Sequence, residues 1–340
     1  MALPSSGAIS LNQVNVELGN SGTAYINLND AVVRALFGKA SGAISMSDGH
    51  GKSNAFSATR AVFNYNLDLE YVTIATTGNS INFGDLSASI TELSACASES
   101  RGVWAGGYLY PDNKNVIDYI TIATTGNSTD FGDLTMNRKL LAGCSSGTRG
   151  VFGGGAAPSV TATIDYITIA TTGNASSFGN LTLARSSFGA CANTIRGVWG
   201  GGAISPGGDT MDYITIASTG NATDFGNLTT ARGYLTSCAS ATRGIFAGGL
   251  RTDGSGTNFN IIDYITIAST GNATDFGDLS GSRNQVGSAA SATRGIFAGG
   301  YSSPLSYNII EYITIATTGN ATDFGDLLAA KRAMMGCAGS

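Results

Sequence analysis

The chain has 340 residues, of which 48 are Gly, about twice the usual share of roughly 7%, while charged residues make up only 12%. With 5 Pro and an ordinary hydrophobic fraction of 42%, this composition excludes a collagen, a long coiled coil and a charged disordered tail. A formal net charge of −5 argues against nucleic-acid binding, no stretch nears the ~18 apolar residues of a membrane span, and the single histidine, His50, removes most His-based metal and acid–base chemistry.

In chain order, the first residues, Met1–Gly7, carry neither a basic nor an apolar signal region, so no secretory leader is expected. Three related phrases follow: Ser6-Gly7-Ala8-Ile9-Ser10-Leu11-Asn12, Ser21–Asn29 and Ser41–Ser47. The first two lead into expected helices over Gln13–Leu18 and Asp30–Phe37, with Asn as N-cap and Gly19 or Gly38 as the stop. The run Gly49-His50-Gly51-Lys52-Ser53 ends like a phosphate-binding loop, but Met46 stands where its first Gly is required, so no nucleotide site is read there. Residues 1–54 hold few large apolar groups and make a poor independent core. They read as a small α+β segment that gains stability by docking on a partner, by self-association or by lying along the rest of the chain.

From residue 55 onward the chain repeats. Tyr-Ile-Thr-Ile begins at Tyr119, Tyr166, Tyr213, Tyr264 and Tyr312, with Tyr-Val-Thr-Ile at Tyr71, giving six units of about 48 residues over 55–340. Each unit reads as four short strands. Strand a is a small-residue run such as Ser186–Ala192, and strand b opens on Arg60, Arg101, Arg149, Arg196, Arg243 or Arg294. Strand c is the Tyr-Ile-Thr-Ile phrase, and strand d centres on Phe-Gly-Asp/Asn-Leu. The Thr-Gly-Asn between c and d is a turn. Four strands in each of six units predict an all-β fold, a six-bladed β-propeller. The last unit ends on a strand a (Arg332–Ser340) with no strand b, and the first opens on a strand b with no strand a, so the two are expected to pair and close the ring.

The order Arg185, Gly200–Gly202, Asp212-Tyr213 and Phe225 resembles a kelch repeat, with Phe in place of the usual strand-d Trp. Copper-holding kelch enzymes use Tyr and His ligands, and with one His outside the repeats that chemistry is not expected here.

Strand-c Tyr to strand-d Phe is 12 residues in all six units, and that Phe to the next strand-b Arg is 18 in all five cases. Arg to strand-c Tyr is 11, 18, 17, 17, 21 and 18, so all length variation falls between strands b and c. Loops on a rigid scaffold commonly carry binding. The candidate ligand- or receptor-binding residues are therefore Tyr108, Tyr110, Asp112, Asn113, Lys114, Arg251, Asp253, Asn258, Phe259, Tyr301 and Tyr307, against the alternative that these loops are solvated spacers. Tyr and Asn suit glycan or protein surfaces.

Cys96, Cys144, Cys191, Cys238 and Cys337 share one register, with Ala289 in the sixth copy, and read as small buried thiols rather than disulfides, redox or metal groups. The six strand-b Arg could ring an anion site on the axis. Each unit also carries Glu70, Asp118, Asp165, Asp212, Asp263 or Glu311 before its Tyr, which favours structural pairing or strand-end capping. The turn Ser128–Asp133 only partly matches an Asp-box and has too few carboxylates for calcium. The Asn-X-Ser/Thr sites, as at Asn127 and Asn221, carry no glycosylation meaning without a leader. No catalytic set, metal site or cofactor is expected, and the chain reads as a non-enzyme.

The Ser-Gly-Ala-Ile-Ser-Leu phrase, Glu17-Leu18-Gly19, Ile26-Asn27-Leu28-Asn29-Asp30 and Ser41–Ser47 resemble N-terminal segments of tailed-bacteriophage virion proteins of the tail-fibre and baseplate type. The near-identical repeats also resemble kelch-like structural proteins of marine phages. The resemblance implies a virion attachment or oligomerisation segment (1–54) contacting tail or baseplate proteins. It also implies a propeller (55–340) offered to a host-surface glycan or protein, in a virion assembled in the host cytoplasm, without nucleic-acid binding or membrane insertion. Self-association fits, since fibre-type anchors are often trimeric. The alternatives are an architectural decoration or connector protein and, behind it, a glycan-cleaving propeller.

Overall fold

The computed structural model describes Val14, Val33 and residues 59–204 and 208–339. The chain divides into two compact units, Met1–Ala58 and Thr59–Ser340. In the first, Val14 and Val33 are helical and buried, one within each of the two expected helices. The remainder of those helices, the Gly49–Ser53 run with His50 and the rest of the attachment segment lie outside the described residues.

The second unit is a six-bladed β-propeller. Blade 2 has strands a to d at Ser94–Ala97, Arg101–Ala105, Val116–Thr121 and Thr129–Asp133, all antiparallel. Blades 3 to 6 repeat this order, with inner strands Ala142–Ser145, Gly189–Ala192, Thr236–Ala239 and Gly287–Ala290. Blade 1 takes strands b to d from Arg60–Tyr65, Asp68–Thr73 and Ile81–Asp85, and its inner strand is Met335–Gly339, with Val62 opposite Cys337. Each inner strand lies against those of both neighbouring blades, and the circuit closes. Closure leaves no inner edge to pair with another chain.

Alternation builds the layers. In strand c of blade 3, Ile164 and Ile167 are buried, and the half-buried Tyr166 packs edge-on against Phe178 at 5.9 Å. The same Tyr–Phe pair recurs in all six blades at 5.8–6.1 Å. The core is a series of apolar clusters wedged between adjacent blades, each drawing on two of them.

Three sets of repeated contacts fasten each blade to the next. The six strand-b Arg do not pair with the carboxylates before the strand-c Tyr, contrary to one expectation, and they do not face the axis. Each guanidinium stacks on its own blade's Tyr at 4.5–4.6 Å and donates to carbonyls just past strand c of the next blade, as Arg149 does to Ile216 (2.8 Å) and Ala217 (3.0 Å). The circle closes with Arg294 donating to Ile74 and Ala75 of blade 1. The Asn of each Thr-Gly-Asn turn also acts between blades: its Oδ1 accepts a backbone N–H from strand d of the preceding blade at 3.0 Å in all six cases.

The third set explains the cysteines. All five are free and buried, and burial pushes their thiols up, to about 12 for Cys144 and Cys238. Each sulfur occupies the space beside a strand-b Gly of the next blade: a Cβ on Gly295 would lie 2.8 Å from Cys238 Sγ, and one on Gly150 would lie 2.7 Å from Cys96 Sγ. At the junction of blades 6 and 1 both partners differ, Ala289 facing Ala61 in one core cluster. One methyl on each side replaces a thiol against nothing. Gly295→Ala alone is therefore expected to cost about 1–3 kcal/mol by overpacking. Adding Cys238→Ala should recover at least about 1 kcal/mol of that loss, measured in a denaturant double-mutant cycle; additive losses would show that the two sites do not share this space.

Candidate functional site

Strands a and c run one way and b and d the other, so the b–c loops and the d–a linkers emerge on one face. The structure joins them directly: Tyr108 bridges Thr91, Ala156 bridges Lys139, Tyr301 bridges Asn284, and Leu250–Arg251 pairs with Arg232–Gly233. In these four blades the b–c loop thus begins paired with the linker that leads into its own blade.

A buried ion pair fixes five of the six linkers. Arg138, Arg185 and Arg232, all fully buried, meet Asp165, Asp212 and Asp263 at 2.9, 2.8 and 3.1 Å; Arg283 meets Glu311, and Lys331 meets Glu70. Burial lowers the first three guanidinium pKa values and the facing carboxylate opposes that shift. Five of the carboxylates anticipated as partners of the strand-b Arg therefore serve a second set of cations, those seven residues after the strand-d Phe. Arg138 also donates to the carbonyls of Phe152, Gly154 and Thr163, which ties the linker to the Gly-Gly turn. That turn needs Gly: Gly154 and Gly155 have φ of 59° and 103°, and a Cβ on Gly154 would meet the Arg185 carbonyl at 2.6 Å. Blade 2 departs from the pattern. Ile90 stands in the cation position, and Asp118 is held by the amide and hydroxyl of Ser87 at 3.0 and 2.6 Å, with its Oδ1 unpartnered.

Two residues past each linker cation the backbone turns left-handed without Gly. Glu92, Leu140, Ser187, Tyr234, Gln285 and Ala333 have φ between 53° and 59°. Each such residue costs about 1–2 kcal/mol relative to an ordinary backbone. Their amides and carbonyls chain around the axis: Leu140 donates to Glu92 at 2.8 Å, Ser187 to Leu140 at 2.9 Å, Tyr234 to Ser187 at 2.6 Å, Gln285 to Tyr234 at 2.9 Å and Ala333 to Gln285 at 3.1 Å. The resulting collar surrounds a small cavity of about 40 Å³ at the mouth of the axial channel, floored by apolar groups including Leu141, Phe188, Leu235 and Val286. Below it the channel is lined largely by Ala, Gly, Ser and Thr of the inner strands, joined by the five Cys at the far end, where it opens to about 170 Å³.

The eleven residues anticipated for binding all belong to this loop face but form two groups. In blade 2, Tyr110 projects at 85% exposure and Asp112 pairs loosely with Lys114 at 3.8 Å. Tyr108 lies under Lys139 Nζ at 4.3 Å, Asn113 donates to the Ala156 carbonyl at 3.1 Å, and the Lys114 carbonyl accepts from the Arg138 amide. In blades 5 and 6, Arg251 lies over Phe259 at 5.5 Å and bonds Asp253 at 3.3 Å. Hydrogen bonds from Ser255, aided by Arg251, hold the Asp253 carboxyl below its usual value. Asn258 links the two blades, accepting from Asn284 at 2.6 Å and donating to Ser302 at 3.0 Å. Tyr301 lies under Arg332 at 4.2 Å; its hydroxyl is shifted downward by Ser303 first and Arg332 second. The Tyr307 amide donates to the Gly300 carbonyl.

Sequence reasoning missed the collar, although a signal for it exists. The eighth and ninth residues after each strand-d Phe, within a segment of constant length, are the positions where all six copies differ: Thr91, Lys139, Ser186, Gly233, Asn284 and Arg332, then the six collar residues. Constant length hid variation in identity.

Among the described residues no group of three His, Cys, Asp or Glu stands close enough to hold a metal ion. Fold and face together define a six-bladed β-propeller with one variable face, compatible with a binding or recognition role. No protein-family model matches the chain, and a comparison with curated proteins finds no match either.

Proposed function

We propose that this chain is a non-enzymatic virion protein of a tailed phage, of the tail-fibre or baseplate type, whose residues 1–54 attach to other virion proteins and whose propeller presents its loop face to a host-surface glycan or protein. The observation that carries this reading is the distribution of difference among six otherwise near-identical units. Length varies only in the b–c loops and identity most at the collar and its neighbours, all on one face of a scaffold held by repeated clasps. Several copies per particle would let weak contacts add into avidity.

A second reading, an architectural decoration or connector protein, draws on the opposite face. There the exposed c–d turns, such as Ala123-Thr124-Thr125-Gly126 and Ala170-Thr171-Thr172-Gly173, are nearly the same in every blade. Six copies of one polar surface suit a symmetric neighbour.

The proposal is tested by localisation. An antibody against the chain should decorate the tail or baseplate of gradient-purified particles in electron micrographs, and the chain should be present in those particles by mass spectrometry. A chain found only in the soluble lysate, with undecorated particles, would overturn the virion assignment; decoration confined to a capsid or connector would favour the architectural reading.

A further inference from the structure

The joint that closes the ring differs chemically from the other buried pairs. Arg138, Arg185, Arg232 and Arg283 hold the linkers into blades 3 to 6, and a guanidinium, which keeps its proton at any ordinary pH, is no nucleophile. The linker into blade 1 carries an amine instead: Lys331 meets Glu70 across 261 positions of sequence. Both partners are withdrawn from water, Lys331 being 5% and Glu70 2% exposed. A second carboxylate stands at the same amine. Asp68 Oδ2 lies 3.6 Å from Lys331 Nζ, on a side chain that is 58% exposed. The corresponding positions of the other blades, three before the strand-c Tyr, are Val116, Thr163, Thr210, Ile261 and Ile309, so this carboxylate is peculiar to the joint.

The two oxygens of Glu70 have different surroundings. Oε1 faces the amine. Oε2 accepts from the Ser80 hydroxyl at 2.5 Å and from the Leu328 amide at 3.1 Å. Two donors on one carboxyl oxygen form the arrangement that steadies developing negative charge in acyl transfer. The Tyr65 ring lies beside the amine, its centroid 5.4 Å from Nζ. A buried amine, an acyl group with one donor-held oxygen and a more exposed carboxylate for proton transfer are the parts that an amide condensation needs.

We propose that Lys331 and Glu70 condense into an intramolecular isopeptide bond that locks the ring covalently. Burial favours the neutral forms, so the ammonium passes a proton to Glu70 Oε1 and leaves a free amine beside a carboxylic acid. The Nζ lone pair attacks Cδ, and the charge that develops on Oε2 is held by Ser80 and Leu328. Asp68 takes one proton from the nitrogen and returns it to the Oε1 hydroxyl. The Cδ–Oε1 bond breaks, water leaves on the side of the exposed Asp68, and the Nζ–Cδ amide remains. The balance needs no oxidant, reductant or second reactant. Two features favour condensation: the fold holds the reacting groups together at high effective concentration, and the amide replaces two buried charges. The product joins strand c of blade 1 to the end of strand d of blade 6, so the chain from 70 to 331 becomes a covalent circle. The bond serves closure of the ring, whatever the loop face recognises.

The test is the intact mass of the full chain in denaturant, measured against the mass of its sequence. The expected result is a mass lower by one water, with digestion releasing a branched peptide that joins the segments around Glu70 and Lys331. Lys331→Arg keeps the ion pair in the form the other linkers use. It should restore the full mass in a folded chain that melts below the parent. Asp68→Ala alters an exposed position and should fold, yet slow the loss of water in freshly synthesised chain at least about a hundredfold. Full mass in the folded parent after days at neutral pH would overturn the proposal, as would a loss of water that persists in Lys331→Arg or a branch that maps to other residues. Condensation of the Asp68→Ala chain as fast as the parent would overturn the role given to Asp68.

Discussion

Deleting residues 335–340 is expected to abolish the native propeller rather than trim it. Met335–Gly339 is the inner strand of blade 1, paired along Arg60–Asn64, and its Met335 amide is accepted by Asn64 Oδ1 at 2.9 Å. Cys337 packs beside Gly102 of blade 2, and blade 6 faces the same strand from the other side. Without it, the inner edge of the first blade is bare and both adjoining interfaces lose a wall. The ring then opens, and every clasp that depends on closure, including that from Arg294 to Ile74, loses its partner. The expected readout is loss of the near-ultraviolet circular dichroism signal and of cooperative unfolding, partly restored by a synthetic peptide covering 333–340. Removing residues 252–257 from the blade 5 loop should shift the melting point by no more than a few degrees. A chain lacking 335–340 that still unfolds cooperatively within about 1 kcal/mol of the intact one would contradict closure by this strand.

The second large effect concerns the linker ion pairs. Asp212→Ala is expected to cost about 3–5 kcal/mol, because it leaves the Arg185 guanidinium buried without its counter-charge. Arg185 has 0% of its surface exposed, and Asp212 also accepts from the Thr182 amide at 3.3 Å and from its hydroxyl. The charge, not the contact area, carries the loss. Arg185→Met combined with Asp212→Ala should therefore recover most of it, since neither buried charge remains. Urea unfolding of the two variants decides the point; a single-variant loss below about 1 kcal/mol would show that the guanidinium finds other partners. Blade 2 keeps the carboxylate without a cation, Ile90 standing in the cation position, and there the amide and hydroxyl of Ser87 and the Ser128 hydroxyl donate to Asp118 instead.

The blade was legible because it is repeated. Strand b at Arg196–Gly200 has the bounds expected of it, strand a shortens from Ser186–Ala192 to Gly189–Ala192, and the closing strand pairs with the first repeat as the offset ends implied. The shortening has a physical cause: Ser187 takes the left-handed turn and so cannot join a ladder. The partner of each charged group was less legible. Arg149 and Arg185 both recur and both precede a carboxylate in their units, and sequence spacing does not say that the first reaches across to the Ile216 carbonyl while the second turns inward to Asp212. Partnership here is set by which blade each residue faces, a property of the ring and not of the repeat. The candidate site was legible as a face, from loop length, but not as a place on it. Tyr110 is exposed, whereas Asn113 and Asn258 are committed to neighbouring loops, and the collar varies in identity where length is constant.

The most direct measurement of the central claim compares the two faces in one assay: binding of the fluorescent full-length chain to a panel of candidate bacterial cells. One variant carries Tyr110→Ala, Asp253→Ala and Leu305→Ala on the loop face; the other carries Thr125→Ala, Thr172→Ala and Ile195→Ala on the turn face, all six residues being exposed. Recognition through the loop face predicts that binding falls at least about tenfold in the first variant and stays within about twofold in the second, with both melting as the parent does. Binding that survives the loop-face changes, that falls with the turn-face changes, or that is absent from the parent chain on every cell type would contradict it.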